Sequence, residues 1–156
     1  MPSNINNINC LIVEDDQFKM EGIKSHLIDF FKDRIKICEC HALASATASL
    51  SNKQFHLAIV DMSIHSHDPK AGAGSPIPLS SGGLDVLFEI MFSQDQTHCI
   101  ILTQYPDIEI ESLPIPVDLA KATILEKFGI EVAGCIRYLE NDKQWKNEMS
   151  VILRDL

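Results

Sequence analysis

The chain has 156 residues, 46% of them hydrophobic, which is enough for one hydrophobic core and leaves no room for a second domain of ordinary size. It carries 22 acidic residues against 13 lysines and arginines, and the formal net charge of −9 disfavours binding to nucleic acid or to an anionic membrane surface. The first residues lack the pattern of a secretory signal, and no apolar run approaches a membrane span. We therefore expect a cytoplasmic protein with no direct nucleic-acid or membrane partner.

Short apolar runs alternate with segments of helical periodicity along the chain. This alternation is typical of a parallel sheet that is covered by crossover helices on both faces. The predicted strands span 8–13, 35–40, 55–60, 99–102 and 122–125. The sequence therefore predicts an α/β fold, built as a doubly wound five-stranded parallel sheet of the flavodoxin-like type.

Apolar residues at helical spacing predict the helices that cover this sheet. They are expected at 16–32, 43–50, 84–92 and about 132–139. The tail, 142–156, has an apolar stripe that starts at Trp145, and we expect it to form a helical extension of a domain that spans 1–141. Packing of this helix against its own sheet is favoured over a partner interface.

Two segments rich in proline interrupt the pattern. An irregular insertion is predicted at 65–81, where prolines and glycines favour a long surface loop. At 105–120 three prolines discourage continuous helix, so only a short or broken helix is predicted there.

Polar residues follow the predicted strands at one edge of the sheet, where functional groups of such folds gather. The first strand is followed by Glu14 and Asp15, the third by Asp61, the fourth by Thr103 and the fifth by Lys127. Carboxylates that converge repel each other unless a cation neutralises them, and Mg²⁺ prefers oxygen ligands. A metal ion and a lysine together stabilise charge on a transferring phosphoryl group. The pattern therefore predicts a site for Mg²⁺-dependent phosphoryl transfer.

The segments LIVEDD, LAIVDM, GGLDVLFEI, IILT and ILEKF resemble, in this order, the receiver domains of two-component response regulators. The resemblance covers roughly 7–141 and implies the strand order 2-1-3-4-5. It implies that Asp61 accepts a phosphoryl group from a histidine kinase or a phosphotransfer protein. It also implies that Glu14, Asp15, Asp61 and the backbone carbonyl of Ser63 hold Mg²⁺. The protein would then be a signalling switch for an unknown output partner rather than a turnover enzyme.

In the same resemblance, Thr103 would bind a phosphoryl oxygen and Lys127 would pair with the phosphoryl group. The sequence departs from the family pattern at several points. About fourteen residues are inserted after the third strand. Gln104 stands where small residues are usual, Phe128 where a proline is common, and Ile124 where an aromatic switch residue is typical.

These departures keep other functions open. One alternative is a pseudo-receiver, a protein-interaction module that keeps the fold and is not regulated by phosphorylation. Another is an aspartate-nucleophile phosphatase, which would need a second aspartate where Ser63 stands. A transition-metal site on His65, His67 and Asp68 lacks a visible fourth ligand, and a polar surface loop is the simpler interpretation.

Overall fold

The computed structural model describes residues 7–70, 72–94 and 96–156, and this part of the chain contains nine strands, five α-helices and a short 3-10 helix at Lys32–Arg34. The strands are β1 (Ile8–Val13), β2 (Ile35–Cys40), β3 (Leu57–Val60), β4 (Ile64–His65), β5 (Pro78–Leu79), β6 (His98–Thr103), β7 (Asp107–Ile110), β8 (Leu113–Pro116) and β9 (Gly134–Arg137). The helices are α1 (Gln17–Phe31), α2 (Leu43–Asn52), α3 (Gly82–Ser93), α4 (Val117–Phe128) and α5 (Gln144–Arg154).

The central sheet is parallel and five-stranded, in the order β2-β1-β3-β6-β9. This is the predicted order 2-1-3-4-5, because β4, β5, β7 and β8 form two separate hairpins. The register pairs Val13 with Val60 and Val60 with Ile101. β1 and β3 therefore end at the same level and β6 continues for two residues beyond it, so the residues at these strand ends share one edge of the sheet.

The helices cover the two faces unequally. Buried residues of α1 and α5 pack on one face, and those of α2, α3 and α4 pack on the other. Trp145, Met149 and Leu153 of α5 lie in the same core as Met20 and Leu27 of α1, so the tail packs against its own sheet as expected. No helix in the described ranges is both long enough and apolar enough to cross a membrane.

The fifth strand lies later in the chain than the sequence predicted. The predicted strand at 122–125 was wrong, because this stretch is the middle of α4, with Ala120 and Ile124 buried at helical spacing. Gly129, at a φ of 68°, ends that helix in the left-handed conformation that glycine favours. The helix predicted around 132–139 was also wrong, since it contains β9. A short apolar run does not distinguish a strand from a helix by its periodicity.

The segment 105–120 forms a hairpin and the start of a helix rather than a short or broken helix. Strands β7 and β8 pair in antiparallel register around Glu111 and Ser112, whose positive φ angles of 52° and 64° suit a tight hairpin turn. Pro114 and Pro116 lie in β8, at the edge of a two-stranded sheet where proline is tolerated. Helix α4 then begins directly after Pro116.

The side chain of Gln94 joins the end of α3 to the chain that leads into β3. Its amide is buried, accepts from the Phe55 N–H at 2.8 Å and donates to the carbonyls of Leu50, at 2.8 Å, and Lys53. Because Gln94→Ala leaves these buried backbone groups without hydrogen-bond partners, we expect it to lower the free energy of unfolding by about 2 kcal/mol, as measured by urea denaturation. Gln96→Ala, at an exposed position, is the control, and equal losses in the two variants would contradict this role.

Candidate functional site

Three carboxylates converge at the carboxyl edge of the sheet. Glu14 and Asp15 follow β1 and Asp61 follows β3, and one oxygen of each lies within 4.8 Å of the others. Glu14 is 1% exposed and Asp61 is 2% exposed, whereas Asp15 faces the solvent. The Asp61 N–H donates to the carbonyl of Val13 at 3.0 Å, which ties the two strand ends together. The structure thus brings together the three acids that the sequence predicted to meet.

The next residue, Asp16, belongs to the helix rather than to this cluster. It is the N-cap of α1, and its side chain accepts from the Lys19 N–H at 3.0 Å. The Asp16 N–H donates in turn to Glu14 Oε1 at 3.0 Å. This pair of bonds fixes the turn between β1 and α1, and so holds the Glu14 carboxylate inside the site.

A buried lysine from α1 enters the acid cluster. Lys19 Nζ lies 2.6 Å from Glu14 Oε2 and 3.3 Å from Asp61 Oδ2. It also donates to the carbonyl of Leu102, at 2.9 Å, and to Gln104 Oε1, at 3.1 Å. The residue is 3% exposed. An ammonium group in this position neutralises part of the charge of two buried carboxylates.

The sequence interpretation missed Lys19 because it considered only residues that follow strands. A signal was present nevertheless. Lys19, Ile23 and Leu27 are spaced four residues apart on α1, and all three are buried. A lysine that shares the apolar face of an amphipathic helix needs a polar partner inside the protein, and here that partner is the acid cluster.

Lys127 does not reach the site. The prediction placed it at the end of the fifth strand, but it lies in the last turn of α4, is exposed, and forms an ion pair with Glu111 at 3.0 Å. At the true end of β9, Arg137 is exposed and Tyr138 follows it. The ring of Tyr138 faces Lys19 Nζ, 5.5 Å from the ring centroid. The cation of this site therefore comes from α1.

The departures noted at Ile124 and Phe128 depended on the same misplaced strand. Ile124 is buried on α4, and Phe128 packs edge-on against Phe88 with ring centroids 5.1 Å apart. Neither residue follows a strand. The departure at Gln104 stands, because this residue follows β6 and its side chain binds Lys19.

Thr103 and Ser63 lie on the elements where the sequence predicted them. Thr103 is the last residue of β6, is 1% exposed, and its Oγ1 accepts from the Tyr105 N–H at 3.3 Å. Because β6 pairs with β3, Thr103 lies at the same sheet edge as Asp61. Ser63 lies two residues after Asp61, in the loop that leads to β4.

The insertion after β3 folds over the exposed side of the cluster. Strands β4 and β5 pair within it, and His65 Nδ1 lies 2.9 Å from Asp15 Oδ2. His67 contacts Ser66 Oγ and the carbonyl of Gly74. A cleft of about 320 Å³ beside Asp15 is lined by His41, His65, His67, Asp68, Pro69 and Pro76. Within the described ranges these histidines form no three-ligand group at metal-binding distances, so the geometry gives the transition-metal alternative no support.

Burial changes the protonation of the two inner acids. It raises the pKa of Glu14 to about 8; Lys19 opposes this rise and the charge of Asp61 adds to it. Burial likewise raises the pKa of Asp61, again against the effect of Lys19. Two buried carboxylates share one ammonium, so the pocket tends to keep a proton near neutral pH.

The donor set fits a hard divalent cation such as Mg²⁺. Asp61 Oδ1 is buried and has no hydrogen-bond partner among the described residues. Carboxylate oxygens from three residues, one of them exposed, leave room for the water molecules that Mg²⁺ retains. A cation there would satisfy the buried oxygen and offset the remaining negative charge.

A doubly wound sheet with acids after its first and third strands has the architecture of a receiver-type domain. No family model matches the chain. The Detocs response regulatory protein DtcB of Vibrio alginolyticus is 36% identical over 148 residues, which cover 92% of this chain and 98% of that protein. The chain therefore belongs to the response regulator family, as a receiver domain.

Solved structures show the same fold. The signal receiver domain of an HD domain-containing protein from Pseudomonas fluorescens Pf-5 is 18% identical, with a TM-score of 0.62 over 99% of this chain and 90% of that one. The response regulator RcsB of Salmonella typhimurium is 16% identical, with a TM-score of 0.59 over 95% of this chain. This chain spans only 58% of the RcsB chain.

Proposed function

We propose that this protein is a phosphoacceptor of a two-component signalling system. Asp61 takes a phosphoryl group from a histidine kinase or a phosphotransfer protein, and the phosphorylated form changes its binding to an output partner. The observation that carries the proposal is the meeting of Glu14, Asp15 and Asp61 within 4.8 Å, where an oxygen of Asp61 is buried and has no partner in the described part of the chain.

The transfer requires an ionised carboxylate. One oxygen of Asp61 attacks the phosphorus atom of a phosphohistidine, the P–N bond breaks, and the imidazole leaves with the electron pair and takes up a proton. The product is an acyl phosphate on Asp61. Glu14, Asp15, Asp61 and the backbone carbonyl of Ser63 would hold Mg²⁺, which would supply positive charge to the transferring group. The hydroxyl of Thr103, at the neighbouring strand end, donates to a phosphoryl oxygen.

Such a protein is a switch, and its only chemistry is its own phosphorylation and dephosphorylation. Ser63 stands where an aspartate-nucleophile phosphatase would need a general acid, which supports this assignment. A histidine kinase donor implies a cytoplasmic setting. The net charge of −9 supports a protein rather than a nucleic acid as the output partner.

Intact-mass spectrometry after incubation with acetyl phosphate and Mg²⁺ tests the proposal. We expect the wild type to gain the mass of one phosphoryl group and Asp61→Asn to gain none, because the amide is a poor nucleophile. The matched control is Asp29→Asn, at an exposed position of α1, which should gain the same mass as the wild type. EDTA should prevent the gain in every case.

An equal gain in Asp61→Asn and in the wild type would contradict the assignment of Asp61. Absence of any gain in the wild type would favour the pseudo-receiver alternative instead.

A further inference from the structure

We infer that Lys19, on the first helix, is the cation that pairs with the phosphoryl group on Asp61; the inference rests on the proposed function and names the residue that completes that site. Its ammonium group already lies 3.3 Å from Asp61 Oδ2. A phosphoryl group attached to Asp61 would therefore form within reach of it.

The contacts of Lys19 place its ammonium between the ends of β1, β3 and β6, since its shortest contact is with Glu14 Oε2, which follows β1. Leu102 and Gln104, whose oxygens accept from Lys19 Nζ, lie at the end of β6, and Tyr138 lies just after β9. In the sheet order, β6 and β9 are on one side of β3 and β1 is on the other. Asp15, which also follows β1, is exposed and contacts His65, so its carboxylate remains accessible to a metal ion.

The hydrogen bonds of Lys19 allow it to change partners. An ammonium group has three N–H donors, and four oxygens surround this one, on Glu14, Asp61, Leu102 and Gln104. The contact with Asp61 is the longest of the four. Lys19 can therefore exchange it for a phosphoryl oxygen without leaving a buried N–H unsatisfied.

The other cations considered for this role lie outside the pocket. Lys127 is exposed and paired with Glu111, and Arg137, at the end of β9, is also exposed. A buried ammonium interacts with a neighbouring charge more strongly than an exposed one, since water and salt screen it less. Lys19 is therefore the better placed partner for the charge that phosphorylation adds.

Two ligand titrations of Lys19→Met test the inference, with Mg²⁺ alone and with beryllofluoride at saturating Mg²⁺. Fluorescence of Trp145 can report both, because its ring lies 5.1 Å from that of Tyr138, which faces Lys19. We expect Mg²⁺ affinity to rise several-fold, since a competing cation is gone. Beryllofluoride affinity should fall about tenfold or more, since a charge-assisted hydrogen bond is lost. A purely structural role would not move the two affinities in opposite directions.

Lys127→Met is the matched control and should leave both affinities unchanged. A second pair covers the case in which Lys19→Met does not fold. Glu14→Gln combined with Lys19→Met keeps the same net pocket charge as the wild type above about pH 8, where Glu14 is ionised, since one carboxylate and one ammonium are removed together. Compared with Glu14→Gln alone, this double variant should still lose about tenfold in beryllofluoride affinity.

Unchanged beryllofluoride affinity in Lys19→Met, or an equal loss in Lys127→Met, would overturn the inference while leaving the proposed function intact. Failure of the wild type to bind beryllofluoride and to gain phosphoryl mass would instead overturn both.

Discussion

Mg²⁺ affinity should rise about tenfold per pH unit between about pH 6 and about pH 8, and then level off. Burial raises the pKa of Glu14 to about 8 and also raises that of Asp61, so the metal-free pocket holds a proton near neutral pH. A divalent cation must displace this proton to bind. Titrations of Trp145 fluorescence with Mg²⁺ across this range measure the effect, and a constant affinity would contradict it.

The same protonation predicts an opposite trend for the stability of the metal-free protein. Folding raises the pKa of the Glu14 carboxyl group from 4.5 to about 8. The protonated group therefore contributes its full stabilisation below pH 4.5, and this contribution is lost as the pH rises through about 8. In EDTA, the Tm should therefore fall toward pH 8, whereas added Mg²⁺ should raise the Tm most at high pH. Glu14→Gln, which cannot ionise, should flatten the trend in EDTA.

Gly83→Ala should lower the free energy of unfolding by about 3 kcal/mol and slow phosphorylation of Asp61. A Cβ atom on Gly83 would lie 2.5 Å from the carbonyl oxygen of Asp61 and 2.7 Å from Cα of Met62. Both are backbone atoms, so the start of α3 or the loop that carries Asp61 must shift. The Gly83 N–H also donates to the Met62 carbonyl at 2.9 Å, a bond that this shift would strain.

Gly22→Ala is the matched control. It lies inside α1, and the nearest atom to its added Cβ is the Tyr138 hydroxyl at 3.7 Å, an ordinary contact. Because alanine favours helix, this variant should be as stable as the wild type or more stable, by up to about 1 kcal/mol. Urea denaturation of both variants measures the difference, and equal stabilities would show that position 83 tolerates a side chain.

The central strands could be predicted because a parallel sheet buries them on both faces. β1, β3 and β6 each contain four consecutive buried apolar residues, CLIV, LAIV and CIIL, a pattern that such burial requires. The edge strand β9 could not be predicted in the same way, because its sequence GCIR is short and partly exposed. The apolar residues of α4 lie where a fifth strand was expected, and they were therefore predicted to be that strand. The predicted order of the five strands in the sheet was nevertheless correct, since the connections still alternate between strand and helix.

The acids of the site could be predicted from the same logic, and the cation could not. Glu14, Asp15 and Asp61 directly follow strands, so sheet geometry alone brings them together. Lys19 reaches the site with a long side chain from the first turns of α1, and its partners are distant in the sequence. The buried acids attract whichever cation lies within reach, and an exposed lysine such as Lys127 gains little by moving there.

The location of the phosphoryl group tests the central claim most directly. Sodium borohydride reduces an aspartyl phosphate to homoserine, and peptide mapping by mass spectrometry then identifies the modified position. After treatment with acetyl phosphate and Mg²⁺, we expect homoserine at position 61 and at no other acidic residue, and none when EDTA is present. Homoserine at Glu14's neighbour Asp15, at any other aspartate, or at none of them would contradict the account.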